Sequence, residues 1–445
     1  MDVKILPDFL NGSVNAIPSK SMAHRALICA ALEDAALENK QTRIECDGES
    51  KDIKATAACL FALGADIQYE NGVYFTRPLK RTGNDTAVSL PCGESGSTFR
   101  FLLPLVCALG QNASFVLEGR LPQRPLSPLY EELVRHGCIL SPQGANSFRA
   151  GGKLTSGVYS LDAGVSSQFI SGLLFALPLL DGDSELRLSG QIESFPYIEL
   201  TMSMLKTFGV KTGFNDAAFL IPGRQKYKSP GAVRVEGDWS NAAFWLTAGA
   251  LGENSVTCEG LDLQSRQGDR AITDILSRFG ARVEMSGRSV TVYGGKLRGI
   301  DIDARDIPDL VPVLAVAAAA AEGVTVIRNA GRLRGKESDR LAAVSSVLKN
   351  LGADEHGCAA HSCSAHSCAV RITDDGLVIN GGGGRILTGG QVSSWGDHRI
   401  AMAAAVASVL CREPVIIHGA EAVNKSYPCF FDDFRSLGGS AETVN

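Results

Sequence analysis

Positive charge is in short supply in this sequence. Lys and Arg total 43 against 48 Asp and Glu, a formal net charge of −5. No broad basic field therefore invites nucleic acid, and an anionic ligand must find cations concentrated locally. Long apolar runs are also missing. The longest, Leu310 to Ala321, is interrupted by Pro312 and is too short to cross a bilayer. The opening Met1-Asp2-Val3-Lys4-Ile5 lacks the charged-then-apolar pattern of a secretory leader. Cysteines number 12, yet Cys29, Cys59, Cys107 and Cys411 fall inside apolar helical runs. No disulfide framework suggests itself, so reduced core thiols are expected. With 45% hydrophobic and 20% charged residues the composition speaks against disorder. A soluble cytoplasmic protein is the expectation, and 445 residues allow two or three domains.

What the chain does have is a repeat. An amphipathic helix ends in an apolar residue, then Gly, then a strand, at Gly64, Gly137, Gly209, Gly280, Gly352 and Gly438. Gly is the usual left-handed helix cap. The intervals are 73, 72, 71, 72 and 86 residues, a period above the solenoid range that points to six copies of a larger unit. After most caps two strands with a turn follow, as in Ala281–Met285 and Ser289–Tyr293. Each unit also carries a helix of small apolar residues: Ser21–Leu32, Ser97–Leu109, Ser166–Leu180, Ser240–Leu251, Pro308–Ala321 and Asp397–Leu410. Helices apolar nearly all round should be buried, and these begin at or beside capping residues. The prediction is α+β, with three units per lobe and two lobes. The first lobe covers 20–231; the second covers 1–19 plus 232–445, because the last unit reaches the C-terminus without its own closing strands.

The starts of the buried helices carry the chemistry. Pro18-Ser19-Lys20-Ser21-Met22-Ala23-His24-Arg25 places two cations at a helix N-terminus, where free N–H groups and the dipole favour anions. Arg25 lies one turn past Ser21, on the same face. Gly93-Glu94-Ser95-Gly96-Ser97-Thr98-Phe99-Arg100 is a glycine-bearing turn into a helix, the kind of nest that holds phosphate, although an ordinary cap reads the same way. Ser166-Ser167-Gln168 is weaker still. Arg120-Leu121-Pro122-Gln123-Arg124-Pro125 suits a bidentate grip on carboxylate or phosphate. In Arg332–Arg340, Lys336, Glu337 and Arg340 stand at one-turn spacing, so cations and a carboxylate can face one ligand. Asp309 is either a helix-dipole residue or a proton acceptor, and Asp397-His398-Arg399 repeats the theme.

One tract stands apart. His356, Cys358, His361, Cys363, His366 and Cys368 have metal-ligand density, but they fall in the anomalous 86-residue interval, and a five-residue period is not a zinc spacing. A hairpin enlarged by duplication is the simpler reading.

The layout with Ser19-Lys20-Ser21-(three residues)-Arg25, Glu94-Ser95-Gly96-Ser97-Thr98-(one)-Arg100, Arg124-Pro125, Ser166-Ser167-Gln168, Ile307-Pro308-Asp309, Lys336-Glu337-Ser338-Asp339-Arg340 and Asp397-His398-Arg399 closely resembles the 3-phosphoshikimate 1-carboxyvinyltransferase (5-enolpyruvylshikimate-3-phosphate synthase) family, over nearly the full chain. The resemblance implies two lobes of three units that close on substrate, an α/β prism or inside-out barrel. It implies transfer of the enolpyruvyl group of phosphoenolpyruvate to the 5-hydroxyl of shikimate 3-phosphate, releasing phosphate on the way to chorismate and the aromatic amino acids. The protein would be a cytoplasmic monomer needing no metal or cofactor. Shikimate 3-phosphate would be held by Lys20, Ser21, Arg25, Ser166, Ser167, Gln168, Ser194, Tyr197, Asp309 and Lys336. Phosphoenolpyruvate would meet Lys20, Gly96, Arg124, Gln168, Arg340, Arg399 and Lys425. Asp309 would accept the hydroxyl proton, and Glu337 and Lys20 would handle the proton at the enol methylene. Three positions depart from the family pattern: Pro18 for Gly, Glu94 for Asn and Arg332 for Asn.

The sister family acting on UDP-N-acetylglucosamine normally carries a reactive Cys before the Arg-Pro pair. Gly119-Arg120-Leu121-Pro122-Gln123 has none, and no Cys lies between Cys107 and Cys138. A non-catalytic phosphate-sugar binding relative and a metal sensor built on the Cys/His tract are the readings outside this chemistry.

Overall fold

Twelve α-helices among the described residues alternate between two roles. A computed structural model describes residues 1–34, 41–80, 87–353, 368–384 and 386–444. Among these the helices are α1 (Lys20–Ala31), α2 (Lys51–Ala62), α3 (Gly96–Ala108), α4 (Leu129–Arg135), α5 (Ser167–Ala176), α6 (Phe195–Thr207), α7 (Trp239–Leu251), α8 (Ile272–Phe279), α9 (Val311–Ala320), α10 (Arg340–Asn350), α11 (His398–Ala407) and α12 (Phe430–Ser436). The odd-numbered helices are the expected apolar ones. Every residue of α9 and α11 is buried. The even-numbered helices mix buried and exposed positions. Three apolar stretches run on as, or begin with, 3₁₀ turns, at Leu177–Leu179, Pro308–Leu310 and Ser408–Leu410. The six repeat glycines all adopt positive φ, from +75° at Gly209 to +111° at Gly280, which is why no side chain stands there.

Among the described residues, six four-stranded sheets lie between the helices, built alike. The strands before and after α3, α5, α9 and α11 pair in parallel, whereas those flanking α1 and α7 are exchanged, the strand before each pairing in parallel with the strand after the other. In every sheet two further strands join antiparallel, as in Val88–Gly93, Ala113–Leu117, Ser147–Gly152 and Cys138–Gln143. These βαβαββ units leave no closed barrel among the described residues. The α+β class read from the sequence is borne out.

The chain forms two compact units, a continuous one of Pro18–Val235 and a split one of Met1–Ile17 with Glu236–Asn445, each around its own apolar core. The divisions sit at 17/18 and 235/236 rather than at 19/20 and 231/232. The reason is strand pairing. Ala232–Arg234 pairs in parallel with Thr42–Glu45, which keeps it in the continuous unit. Gly12–Asn15 pairs in parallel with Ser255–Glu259 of the split unit. The last unit does own one closing strand, Ser440–Val444. Asp2–Leu6 lies between it and Val415–His418.

In the continuous unit α3 packs on α5, and α1 packs on α2 and α6. A Cβ on Gly172 of α5 would overlap the Arg100 carbonyl of α3, so glycine permits the close approach. In the split unit α7, α9 and α11 pack against one another. Cys29, Cys59, Cys107 and Cys411 are buried free thiols, as expected.

Candidate active site

In the continuous unit the first buried helix start is cross-linked by its own cations. Lys20 Nζ lies 2.8 Å from Asp52 Oδ2 at the start of α2. Arg25 donates through Nη1 to the Ser21 carbonyl at 2.7 Å, through Nη2 to the Tyr197 carbonyl at 2.7 Å and through Nε to Thr201 Oγ1 at 2.8 Å. Its guanidinium sits 5.1 Å from the Phe101 ring centroid. Burial lowers the Arg25 pKa to about 10, which leaves it a cation near neutrality. Ser19 Oγ, at the same helix start, is buried with no hydrogen-bond partner. Ser194, a buried residue at φ +55°, precedes α6 and puts Tyr197 one turn in.

A second group gathers at α3 and α5. Ser95 caps α3 by accepting from the Thr98 N–H at 3.4 Å. A Cβ on Gly96 would come within 2.8 Å of Arg124 Nη1, so the lack of a side chain at Gly96 lets that guanidinium reach the helix start. Gln168 Nε2 donates to Ser97 Oγ at 2.9 Å, and Arg100 Nη1 donates to Gln168 Oε1 at 2.6 Å. Ser166 caps α5 through the Gln168 N–H at 3.3 Å, and Ser167 opens that helix. Glu94 is exposed and its carboxylate lies where a Cβ on Gly119 would be, against the loop that carries Arg124.

The split unit holds the denser cluster. Arg340 opens α10 with its side chain 2% exposed. It donates through Nη1 to Asp309 Oδ1 at 2.7 Å, through Nη2 to Glu337 Oε2 at 2.9 Å and through Nε to Asp397 Oδ2 at 2.8 Å. Arg399 Nη2 takes the other Asp309 oxygen at 2.8 Å, and Lys425 Nζ lies 3.5 Å from Glu337 Oε1. Burial opposes charge on Arg340, but Asp397, Glu337 and Asp309 more than offset it and raise its pKa. Three cations thus interlock with three carboxylates. The oxygens of Asp309 and Glu337 remain partly exposed, whereas Asp397 is wholly buried. Lys336 follows in the Arg332–Arg340 loop, half-buried, and Arg332 donates to the Arg305 carbonyl.

The sequence motifs therefore come together within each unit: Lys20, Ser21, Arg25 and Tyr197 in one group, Gly96, Arg124 and Gln168 in another, and Asp309, Glu337, Arg340, Arg399 and Lys425 in a third. One residue with a large part, Asp52, carries almost no signal in the sequence. It holds Lys20, and its only local mark is its place in the first turn of α2. Asp397, part of the Asp397-His398-Arg399 motif, caps α11 through the Arg399 N–H at 2.9 Å and accepts from Ser338 Oγ at 3.1 Å. Among the described residues no group of three His, Cys, Asp or Glu could hold a metal ion. Of the Cys/His tract, His356, Cys358, His361, Cys363 and His366 lie outside the described residues; Cys368 is buried.

The chain as a whole matches a known family. The family model for EPSP synthase (3-phosphoshikimate 1-carboxyvinyltransferase) matches residues 6–434. The 3-phosphoshikimate 1-carboxyvinyltransferase of Clostridium kluyveri is 43% identical over 446 residues, covering 99% of this chain and 98% of that protein. The enzyme of that name from Clostridium acetobutylicum is 42% identical over 443 residues, covering 98% and 97%. The solved EPSP synthase of Acinetobacter baumannii superposes with a TM-score of 0.79 at 25% identity, covering 99% of this chain and all of that one. With a family match over nearly its whole length and these relatives beside it, the chain belongs to the EPSP synthase (3-phosphoshikimate 1-carboxyvinyltransferase) family.

Proposed function

We infer that the protein transfers the carboxyvinyl group of phosphoenolpyruvate to the 5-hydroxyl of 3-phosphoshikimate and releases phosphate. The observation that carries the residue assignment is Asp309, a partly exposed carboxylate held between the guanidiniums of Arg340 and Arg399. In the roles proposed, Lys20, Ser21, Arg25, Ser166, Ser167, Gln168, Ser194, Tyr197, Asp309 and Lys336 take 3-phosphoshikimate. Lys20, Gly96, Arg124, Gln168, Arg340, Arg399 and Lys425 take phosphoenolpyruvate.

Both substrates are anions, so their phosphates and carboxylates compete with the protein's own carboxylates for these cations. An anion that draws Arg340 and Arg399 to itself frees Asp309 to accept the proton of the 5-hydroxyl. Glu337 and Lys20 supply the proton that converts the enol methylene to a methyl group, which leaves C2 electron-poor. The 5-oxygen then bonds to C2. The C2–O bond to phosphate breaks, and a proton leaves the methyl group to restore the double bond. Positioning and proton transfer supply this chemistry. The protein is proposed to act in the cytoplasm as a monomer.

A phosphate-release assay with both substrates, run beside Asp309→Ala and Lys20→Met, tests the reading. Turnover by the intact protein and its loss in both variants are expected. Retained binding without turnover by the intact protein would make it a binding relative instead.

A further inference from the structure

A chain of neutral side chains runs through the core of the continuous unit to the start of α3. His24 Nδ1 lies 2.6 Å from Thr56 Oγ1, Thr56 Oγ1 lies 2.6 Å from Thr98 Oγ1, and Thr98 Oγ1 lies 2.7 Å from Ser95 Oγ. All four residues are buried, and Ser95 is the cap whose next residue is Gly96. Three links need three protons. With the imidazole proton on Nε2, the three hydroxyls supply them all, each donating toward Nδ1. Ser95 Oγ then keeps its lone pairs for the Thr98 N–H. Nε2 has no hydrogen-bond partner, so His24 is anchored through Nδ1 alone.

The helical register ties this chain to the cations. Lys20 and His24 are four residues apart on α1, and Asp52 and Thr56 are four apart on α2, so each pair shares a helix face. The two helices are therefore joined twice, one turn apart, by Lys20–Asp52 and by His24–Thr56. Thr56–Thr98 carries the connection to α3. Burial holds His24 neutral, with its pKa lowered to about 3, so the connection adds no charge beside an anion site. Nothing in the reaction requires these hydroxyls chemically.

We propose that His24, Thr56 and Thr98 are positioning residues for phosphoenolpyruvate, forming a strut that fixes the Ser95–Gly96 helix start relative to Lys20. This rests on the assignment of Lys20 and Gly96 to that substrate. A misplacement of about 1 Å at a reacting centre is costly, and a buried hydroxyl chain is stiff because breaking one link strands the next group.

Thr56→Val keeps the shape and removes the hydroxyl. The expected result is a KM for phosphoenolpyruvate raised about tenfold, with kcat and the KM for 3-phosphoshikimate within about twofold. Thr56→Ser should restore the wild-type value, and Thr56→Val/Thr98→Val should be no worse than the single variants, because one broken link breaks the strut. Amide exchange at Gly96–Phe99 should speed up in Thr56→Val and recover in Thr56→Ser. If both KM values rise together, or if exchange changes while the KM for phosphoenolpyruvate does not, the chain only stabilises the fold and the proposal is overturned. A wild type that releases no phosphate overturns the reaction instead. The strut is then decided by titrating phosphoenolpyruvate while following the same amides. Weaker protection in Thr56→Val than in wild type supports it, and equal protection overturns it.

Discussion

Asp309 is gripped by Arg340, with Nη1 2.7 Å from Oδ1, while its other oxygen is given to Arg399 at 2.8 Å. Removing that carboxylate leaves two guanidiniums with one fewer anion to share. Asp309→Ala should lower turnover by about 10²–10⁴-fold, the span of a lost general base, while phosphoenolpyruvate binds at least as tightly as before. Phosphate release with a parallel binding titration reads both. Weakened binding in step with turnover would mean that Asp309 shapes the site rather than accepting a proton.

Arg340 is harder to replace than its charge alone suggests. Its three nitrogens serve three carboxylates, and Asp397 is wholly buried. Lysine keeps the charge but not the planar fork. Arg340→Lys should cost about 3–5 kcal/mol of stability, as for a broken buried pair. Urea unfolding at neutral pH measures it, and a loss under about 1 kcal/mol would show that the cluster relaxes around the ammonium.

At Gly96 the effect should fall on function rather than fold. Its φ is not positive, and alanine is the better helix former, but the added Cβ would press on Arg124 Nη1. The far end of a flexible side chain can move aside. Gly96→Ala should therefore unfold within about 1 kcal/mol of wild type yet raise the KM for phosphoenolpyruvate about tenfold or more, the worth of one charge-assisted hydrogen bond. An unchanged KM would remove Arg124 from the proposed set.

Acid sensitivity has a traceable source in His24. Its pKa is lowered to about 3 from the ordinary 6.5 by burial. Between these values the unfolded chain binds a proton that the folded chain refuses. Stability is therefore intact above about pH 6.5 and falls as the solution is acidified toward 3, by up to about 1.4 kcal/mol per pH unit for this one group. His24→Gln should show a shallower loss between pH 6.5 and 4.5 in denaturant titrations. Identical slopes would place the acid-sensitive group elsewhere.

Much of this was readable because it is local and repeated. A glycine that must take positive φ, a Ser or Asp that caps a helix, and a stretch of Ala and Leu that must be buried each leave a short-range mark, and six copies reinforce one another. Lys20, Arg25, Asp309, Arg340 and Arg399 could be named for the same reason: each sits within two turns of a helix start. Partner choice left no such mark. Asp52 lies 32 residues from Lys20 and Asp397 lies 57 from Arg340, distances at which sequence spacing carries no geometry. The placement of Ala232–Arg234 beside Thr42–Glu45 was missed for the same reason. A three-residue strand reads as a linker until its neighbour is known.

The pairing of Asp2–Leu6 with Ser440–Val444 bears on how the chain matures on the ribosome. The continuous unit has all its strands once residue 235 has emerged, and can close its core early. The split unit has to keep its first strand waiting until Val415–His418 and Ser440–Val444 arrive, a very long loop to close. Domains tend to complete in order of synthesis, so the nascent protein should present a finished Pro18–Val235 unit flanked by an unpaired leading strand. That strand is the segment most exposed to wrong partners until Val415–His418 and Ser440–Val444 have emerged.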